Sequence, residues 1–266
     1  MDLGLDGKIA VVTGATRGLG RAAAFALAAE GCRVALLARD AEACAAVAAE
    51  LRDRGAEAIG LAADLADKAA VARAFATIRA ELGAPGILVY NNSGAPDSFL
   101  DDVTDRDFAD AYTLLVMGLF WCVEEVRGAM QDGGWGRIVV LGSTCAIEPH
   151  RAPMAMLLHN VARPAQVGLG KTLANELGPA GITVNTIAIG PFDHDGTARR
   201  RAQEHLRAQG GAPDGSGEER LKAIPLRRFG RADELGSLCA YLCSEPAGFV
   251  TGQTIAIDGG QMRSLF

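Results

Sequence analysis

Short apolar runs alternate along the chain with Ala/Leu-rich stretches whose apolar positions recur at helical spacing. The runs Ile9–Thr13, Arg33–Leu37, Ala58–Leu61, Ile87–Tyr90, Arg137–Leu141, Thr183–Ile187 and Thr254–Ile257 are predicted strands. Each has little polar alternation, the pattern of a strand covered on both faces. Between them lie predicted helices such as "LGRAAAFALAAEG" and "DAEACAAVAAELRDRG", both ending in Gly, a favoured helix stop. Repeated β-α alternation predicts an α/β fold: a Rossmann-type, doubly wound parallel sheet with right-handed crossovers and helices on both faces. No internal repeat or low-complexity linker divides the chain, so residues 1–266 are read as a single domain. One segment, 192–230, breaks the alternation. It is charged, rich in Gly and Pro and only partly helical, and is expected to be a substrate lid.

Composition narrows the setting. The chain has 266 residues, 49% of them hydrophobic, enough for one large core. A net charge of −6 without a long basic run argues against nucleic acid and anionic membrane as partners. No uninterrupted apolar stretch reaches membrane-spanning length. The opening "MDLGLDGKIAVVTG" carries acids where a signal peptide would carry bases. The six cysteines are scattered; Cys239 and Cys243 fall four apart on a predicted helix without nearby histidines, which suits core packing, and no metal site is expected. A reduced, cytoplasmic chain is the expectation.

The first chemistry-bearing motif is "KIAVVTGATRGLGRAAAFAL", where a strand leads through Gly14, Gly18 and Gly20 into a helix. Glycines let the backbone turn sharply and approach a pyrophosphate, and the helix N-terminus offers free N–H groups and positive potential. A site for NAD usually has an acid at the end of the second strand. Here Ala38 stands there, Arg39 follows, and Arg17 lies in the Gly loop, two guanidinium groups suited to a 2′-phosphate. The expected cofactor is therefore NADP(H) rather than NAD(H). Asp40 reads as the cap of the next helix.

The spacing Thr13-Gly14-x-x-x-Gly18-x-Gly20 resembles the short-chain dehydrogenase/reductase family. So do "LAADLAD", "ILVYNNSGAP", "LANELGPAGITVNTIAIGP" and "IPLRRFGRADELGSLCAYLCSEPAGFVTGQTIAIDGG", which extend the likeness over nearly the whole chain. The resemblance implies cofactor contacts at Thr16 and Leu19 in the Gly loop, at Asp64-Leu65 beside the adenine and at Gly190 near the carboxamide, with Asn91 as a structural asparagine. It also implies a homodimer or homotetramer, with the helices Asp105–Met130 and Leu157–Leu177 pairing between subunits.

The family's active site is a Ser, a Tyr-x-x-x-Lys and an Asn. Counting back from "GKTLANEL", the Tyr position holds His159 and the Lys position Arg163. The Asn position holds Leu115, which can donate nothing. The Ser remains as Ser143, with Thr144 as the alternative hydroxyl. By resemblance Ser143 orients the reacting oxygen, His159 gives or takes the proton and Arg163 holds the nicotinamide ribose. Histidine can exchange a proton near neutral pH, and arginine can stabilise negative charge but cannot relay protons. Nearby, "EPHRAPMAM" is expected to be a lengthened loop carrying Glu148 and His150, Pro164 should kink its helix, and Ile189 stands where the family usually has Pro. Cys145 reads as packing, and His194 and His205 as solvated lid residues. The resulting expectation is an NADP(H)-dependent oxidoreductase acting on a small carbonyl or alcohol. Two other readings are non-redox proton transfer on the same scaffold (isomerase, dehydratase or cyclase) and a non-catalytic partner subunit.

Overall fold

The apolar runs pair side by side into one sheet. In the computed structural model, which describes residues 1–149, 156–193 and 221–265, they are β1 (Ile9–Thr13), β2 (Arg33–Ala38), β3 (Ala58–Ala62), β4 (Ile87–Tyr90), β5 (Gly136–Leu141), β6 (Ile182–Ile189) and β7 (Thr254–Ile257). All are parallel, in the order β3-β2-β1-β4-β5-β6-β7. β6 is longer than predicted because it is paired along its length, from Gly136 opposite Ile182 to Ile257 opposite Ile189. The strand order reverses between β1 and β4, and ligands in such sheets sit at the carboxyl ends of the strands at that point.

The helices are α1 (Gly18–Ala29), α2 (Ala41–Asp53), α3 (Lys68–Glu81), α4 (Asp105–Tyr112), α5 (Gly118–Asp132), α6 (Leu157–Leu177) and α7 (Ala232–Cys243). They explain why the strands lack polar alternation. Ala10, Val12, Val34 and Leu36 face a core shared with α1, α2 and α7. Their neighbours Val11, Ala35 and Leu37 face a second core shared with α3, α5 and α6. Cys239 and Cys243 are buried in the first of these. Asp40 caps α2, accepting from Ala43 N at 3.0 Å, and Gly31 and Gly55 take positive φ just beyond α1 and α2.

Two helical expectations change. The predicted helix from Asp105 to Met130 is α4 and α5 joined by a π turn, Thr113–Met117. α6 runs unbroken through Pro164, because its buried face, with Leu158, His159, Ala162, Arg163 and Gln166, outweighs the one backbone hydrogen bond that proline removes. Of the expected lid, Phe192, Asp193 and residues 221–230 are described; Phe192 is buried and bridges to Gly230. His150, His194, His205, most of the lid and most of the "EPHRAPMAM" loop lie outside the described residues.

Candidate active site

At the end of β1, Thr13 Oγ donates to Asn91 O (2.6 Å) and accepts from Asn91 N (2.8 Å), and Asn91 Nδ2 donates to Gly14 O (3.0 Å). Asn91 thus braces the Gly loop from beneath. Gly14, at φ +57°, leaves room for this contact; a Cβ there would lie 2.6 Å from Asn91 Nδ2, and one on Gly20 would strike the Gly14 carbonyl. The N-terminus of α1 has no side-chain cap, so its first-turn N–H groups remain for an anion. Thr16, Arg17, Gly18, Arg21, Asp193 and Ala232 line a cleft over it.

Arginines around this cleft differ in a way that matters. Arg21 is bound to Glu50 and stacked over Phe25. Arg17, which lines the cleft, and Arg39, at the end of β2, are exposed, and neither has an acidic partner among the described residues. Other expected contacts prove partly structural. Leu19 and Leu65 are core residues. Asp64 is exposed, its Oδ1 accepting from Ala66 N at 2.9 Å. Gly190 is small because β7 passes close by: a Cβ would lie 2.5 Å from Asp258 Cβ.

The second half of the site forms where β4, β5 and α6 meet. His159 is 9% exposed, and its Nε2 lies 2.7 Å from Ala95 O. A carbonyl only accepts, so Nε2 carries hydrogen. Gly94, at φ +77°, makes this packing possible, since a Cβ would lie 2.8 Å from His159 Cε1. Arg163 is 7% exposed. Its Nη1 donates to Leu141 O (3.2 Å) and Gln166 Oε1 (2.9 Å), and Nη2 to Asn92 Oδ1 (3.5 Å). Arg163 Nε and Asn92 Nδ2 are buried without partners, and no carboxylate pairs with the guanidinium among the described residues. Burial lowers the Arg163 pKa from the usual arginine range; the group stays charged, an unneutralised cation in the floor of the site.

Two neighbours complete this floor. Gln166, fully buried, donates from Nε2 to Leu115 O at 2.7 Å. Tyr90, also fully buried, donates from its hydroxyl to Leu114 O, and burial raises its pKa well above the ordinary tyrosine value. Both acceptors belong to the π turn, so side chains from α6 and β4 bond carbonyls of the irregular backbone. Leu115 itself is fully buried with Ala95, Ala111, Val116, Leu158 and Ala162. Ser143 stands half-buried at the end of β5, two residues beyond the Leu141 carbonyl that holds Arg163, and its Oγ accepts from Cys145 N at 3.3 Å. Thr144 and Cys145 are buried, and burial raises the Cys145 thiol, which keeps it protonated and unreactive. Glu148 accepts from Arg263 N at 3.2 Å, tying the loop after Ser143 to the C-terminal segment. Tyr90, Asn92 and Gln166 were not among the expected site residues. Of these, Gln166 carried a readable signal, three positions after Arg163 on one helical face.

A reversing parallel sheet with a Gly-rich loop feeding an uncapped helix is a doubly wound nucleotide-binding fold. The chain belongs to the short-chain dehydrogenase/reductase family: the family profile described as Enoyl-(Acyl carrier protein) reductase matches residues 14–262. It is 31% identical over 262 residues to 3-oxoacyl-(acyl-carrier-protein) reductase FabG of Pseudomonas aeruginosa, covering 98% of this chain and 100% of the relative. It is 35% identical over 264 residues to D-threitol dehydrogenase of Mycolicibacterium smegmatis, covering 97% and 94% respectively. Among solved structures, L-sorbose reductase of Gluconobacter frateurii, complexed with NADPH and L-sorbose, superposes with a TM-score of 0.91 at 29% identity over 100% of both chains.

Proposed function

We propose that this protein is an NADP(H)-dependent short-chain reductase that interconverts a small carbonyl compound and its secondary alcohol through an unusual Ser143, His159, Arg163 site. The cofactor, when bound, supplies or accepts the hydride. The residues present fit it: the uncapped α1 N-terminus and the Gly14–Gly20 loop suit the pyrophosphate, and the unpaired Arg17 and Arg39 suit a 2′-phosphate. The NADPH complex of the sorbose reductase supports the same choice.

The chemistry is carried by His159. The Nε2–H donation to Ala95 O orients the ring and fixes its tautomer, and the imidazole exchanges the proton with the substrate oxygen. Arg163 lies one turn along the same face, and its Nη2, held only by the long contact to Asn92, has hydrogens for the nicotinamide ribose. Its buried charge also stabilises negative charge developing on the substrate oxygen. Ser143 orients that oxygen from the end of β5. The test is NADPH consumption with a panel of small ketones, ketoses and 3-oxoacyl thioesters, chosen from the activities in the relatives' names. Turnover by the wild type and its loss in His159→Ala supports the reading. Conversion of a substrate with no change in nicotinamide absorbance would instead assign the site to isomerase, dehydratase or cyclase chemistry.

A further inference from the structure

Gln166 is fully buried on α6 and touches two groups that otherwise have little in common. Its Oε1 is 2.9 Å from Arg163 Nη1, which only donates, and its Nε2 is 2.7 Å from the Leu115 carbonyl, which only accepts. The amide orientation is therefore fixed by chemistry, since a flip would set donor against donor and acceptor against acceptor. One side chain links the guanidinium to the π turn Thr113–Met117. The guanidinium depends on this link: it has no carboxylate among the described residues, and its Nε already lacks a partner. At position 115 the family pattern places a side-chain amide; here Leu115 offers none, and an amide reaches the same residue's backbone from the facing helix.

We infer that Gln166 is a positioning residue. It holds the Arg163 guanidinium against Leu141 and Asn92, and so couples the π turn between α4 and α5 to the cofactor site. This inference rests on the reading that Arg163 contacts the nicotinamide ribose. Without the Gln166 oxygen, Nη1 keeps only its longer bond to Leu141 O, and the guanidinium can rotate out of register with the ribose.

The experiment measures NADPH affinity by fluorescence titration, alongside thermal stability, for Arg163→Ala, Gln166→Met, Gln166→Glu and the Gln166→Met/Arg163→Ala double variant. Gln166→Met should weaken NADPH binding about tenfold, the worth of a hydrogen bond to a charged group, and the double variant should lose no more than Arg163→Ala alone. Gln166→Glu keeps an acceptor for Arg163 but sets its other carboxylate oxygen, also an acceptor, against the Leu115 carbonyl, so it should weaken NADPH binding as Gln166→Met does, and wild-type affinity in it would show that the π turn plays no part. Should Gln166→Met not fold, Gln166→Asn, one methylene too short to span both partners, is read in its place. If Arg163→Ala weakens NADPH binding but the Gln166 variants only lower thermal stability, or if the two losses add, the inference is overturned and the Arg163 reading stands. If Arg163→Ala binds NADPH like wild type, the ribose contact falls and the inference falls with it.

Discussion

His159 and Gly94 carry the sharpest residue-scale expectations. A positioned acid–base group contributes about 10² to 10⁴ in rate, so His159→Ala should lower turnover by that factor while leaving NADPH affinity nearly unchanged, as steady-state kinetics and titration would read. Full activity in that variant would mean that the proton comes from another group, with Thr144 the neighbouring hydroxyl. Gly94→Ala acts on the same ring from the other side. The residue sits at φ +77°, and the added methyl would lie 2.8 Å from His159 Cε1, so both backbone and contact oppose it. The left-handed backbone alone costs about 1–2 kcal/mol. Displacing the ring from Ala95 O should add a loss in kcat larger than any loss in cofactor affinity. A melting temperature and a kcat both equal to wild type would refute this packing account.

At the scale of elements, α7 offers a pH-dependent test. Glu234 bonds Arg228 and accepts from Arg231 N, closing the start of α7, and these contacts, the Arg228 bond first, push its pKa from 4.5 to about 2. A carboxylate with a depressed folded-state value contributes stability above its unfolded value and loses it as pH falls towards the folded one. The difference in melting temperature between wild type and Glu234→Gln should therefore be full above pH 4.5 and shrink towards pH 2, and salt should reduce it because the pair is exposed. A difference independent of pH would contradict the assignment. Elements were also where the sequence spoke most clearly. All the strands could be read because each is a short apolar run bounded by turn residues, and Asp40, Gly31 and Gly55 marked helix ends through local chemistry. The π turn could not be read, since one extra residue in a continuous apolar stretch, "TLLVM", leaves the helical pattern on either side intact. The site divides in the same way. His159, Arg163 and Ser143 follow from register against a family pattern. Tyr90 and Asn92, and Gln166 in its bond to Leu115, owe their roles to partners 24 to 71 positions away, separations no periodicity encodes; only the Gln166–Arg163 spacing was legible.

For the whole molecule, charge and exposed surface decide the remaining expectations. The chain carries a net charge of −6, yet Arg17 at the cleft and Arg39 at the end of β2 are exposed and have no acidic partner among the described residues. Two guanidinium groups left unneutralised in an acidic protein favour the cofactor with the extra phosphate. NADPH should bind at least about tenfold more tightly than NADH, roughly 1.4 kcal/mol, and Arg39→Ala should narrow the gap; calorimetry giving equal affinities would sink the claim. Assembly follows from a second feature. Phe108, Tyr112, Phe120 and Val161 are exposed by 38%, 49%, 37% and 55% on the adjoining helices α4, α5 and α6. Aromatic rings grouped on neighbouring helices, with Phe108 and Tyr112 one turn apart, are costly to leave in water and suit a self-complementary twofold contact. These helices also carry the π turn, His159 and Arg163, so a partner packed there would stiffen the backbone beneath the site. A homodimer or homotetramer is expected by light scattering at micromolar concentration. Phe108→Glu with Tyr112→Glu should shift it towards smaller species and weaken NADPH binding in parallel. A wild-type monomer under those conditions would contradict the interface, and dissociation without any change in cofactor affinity would contradict its link to the site.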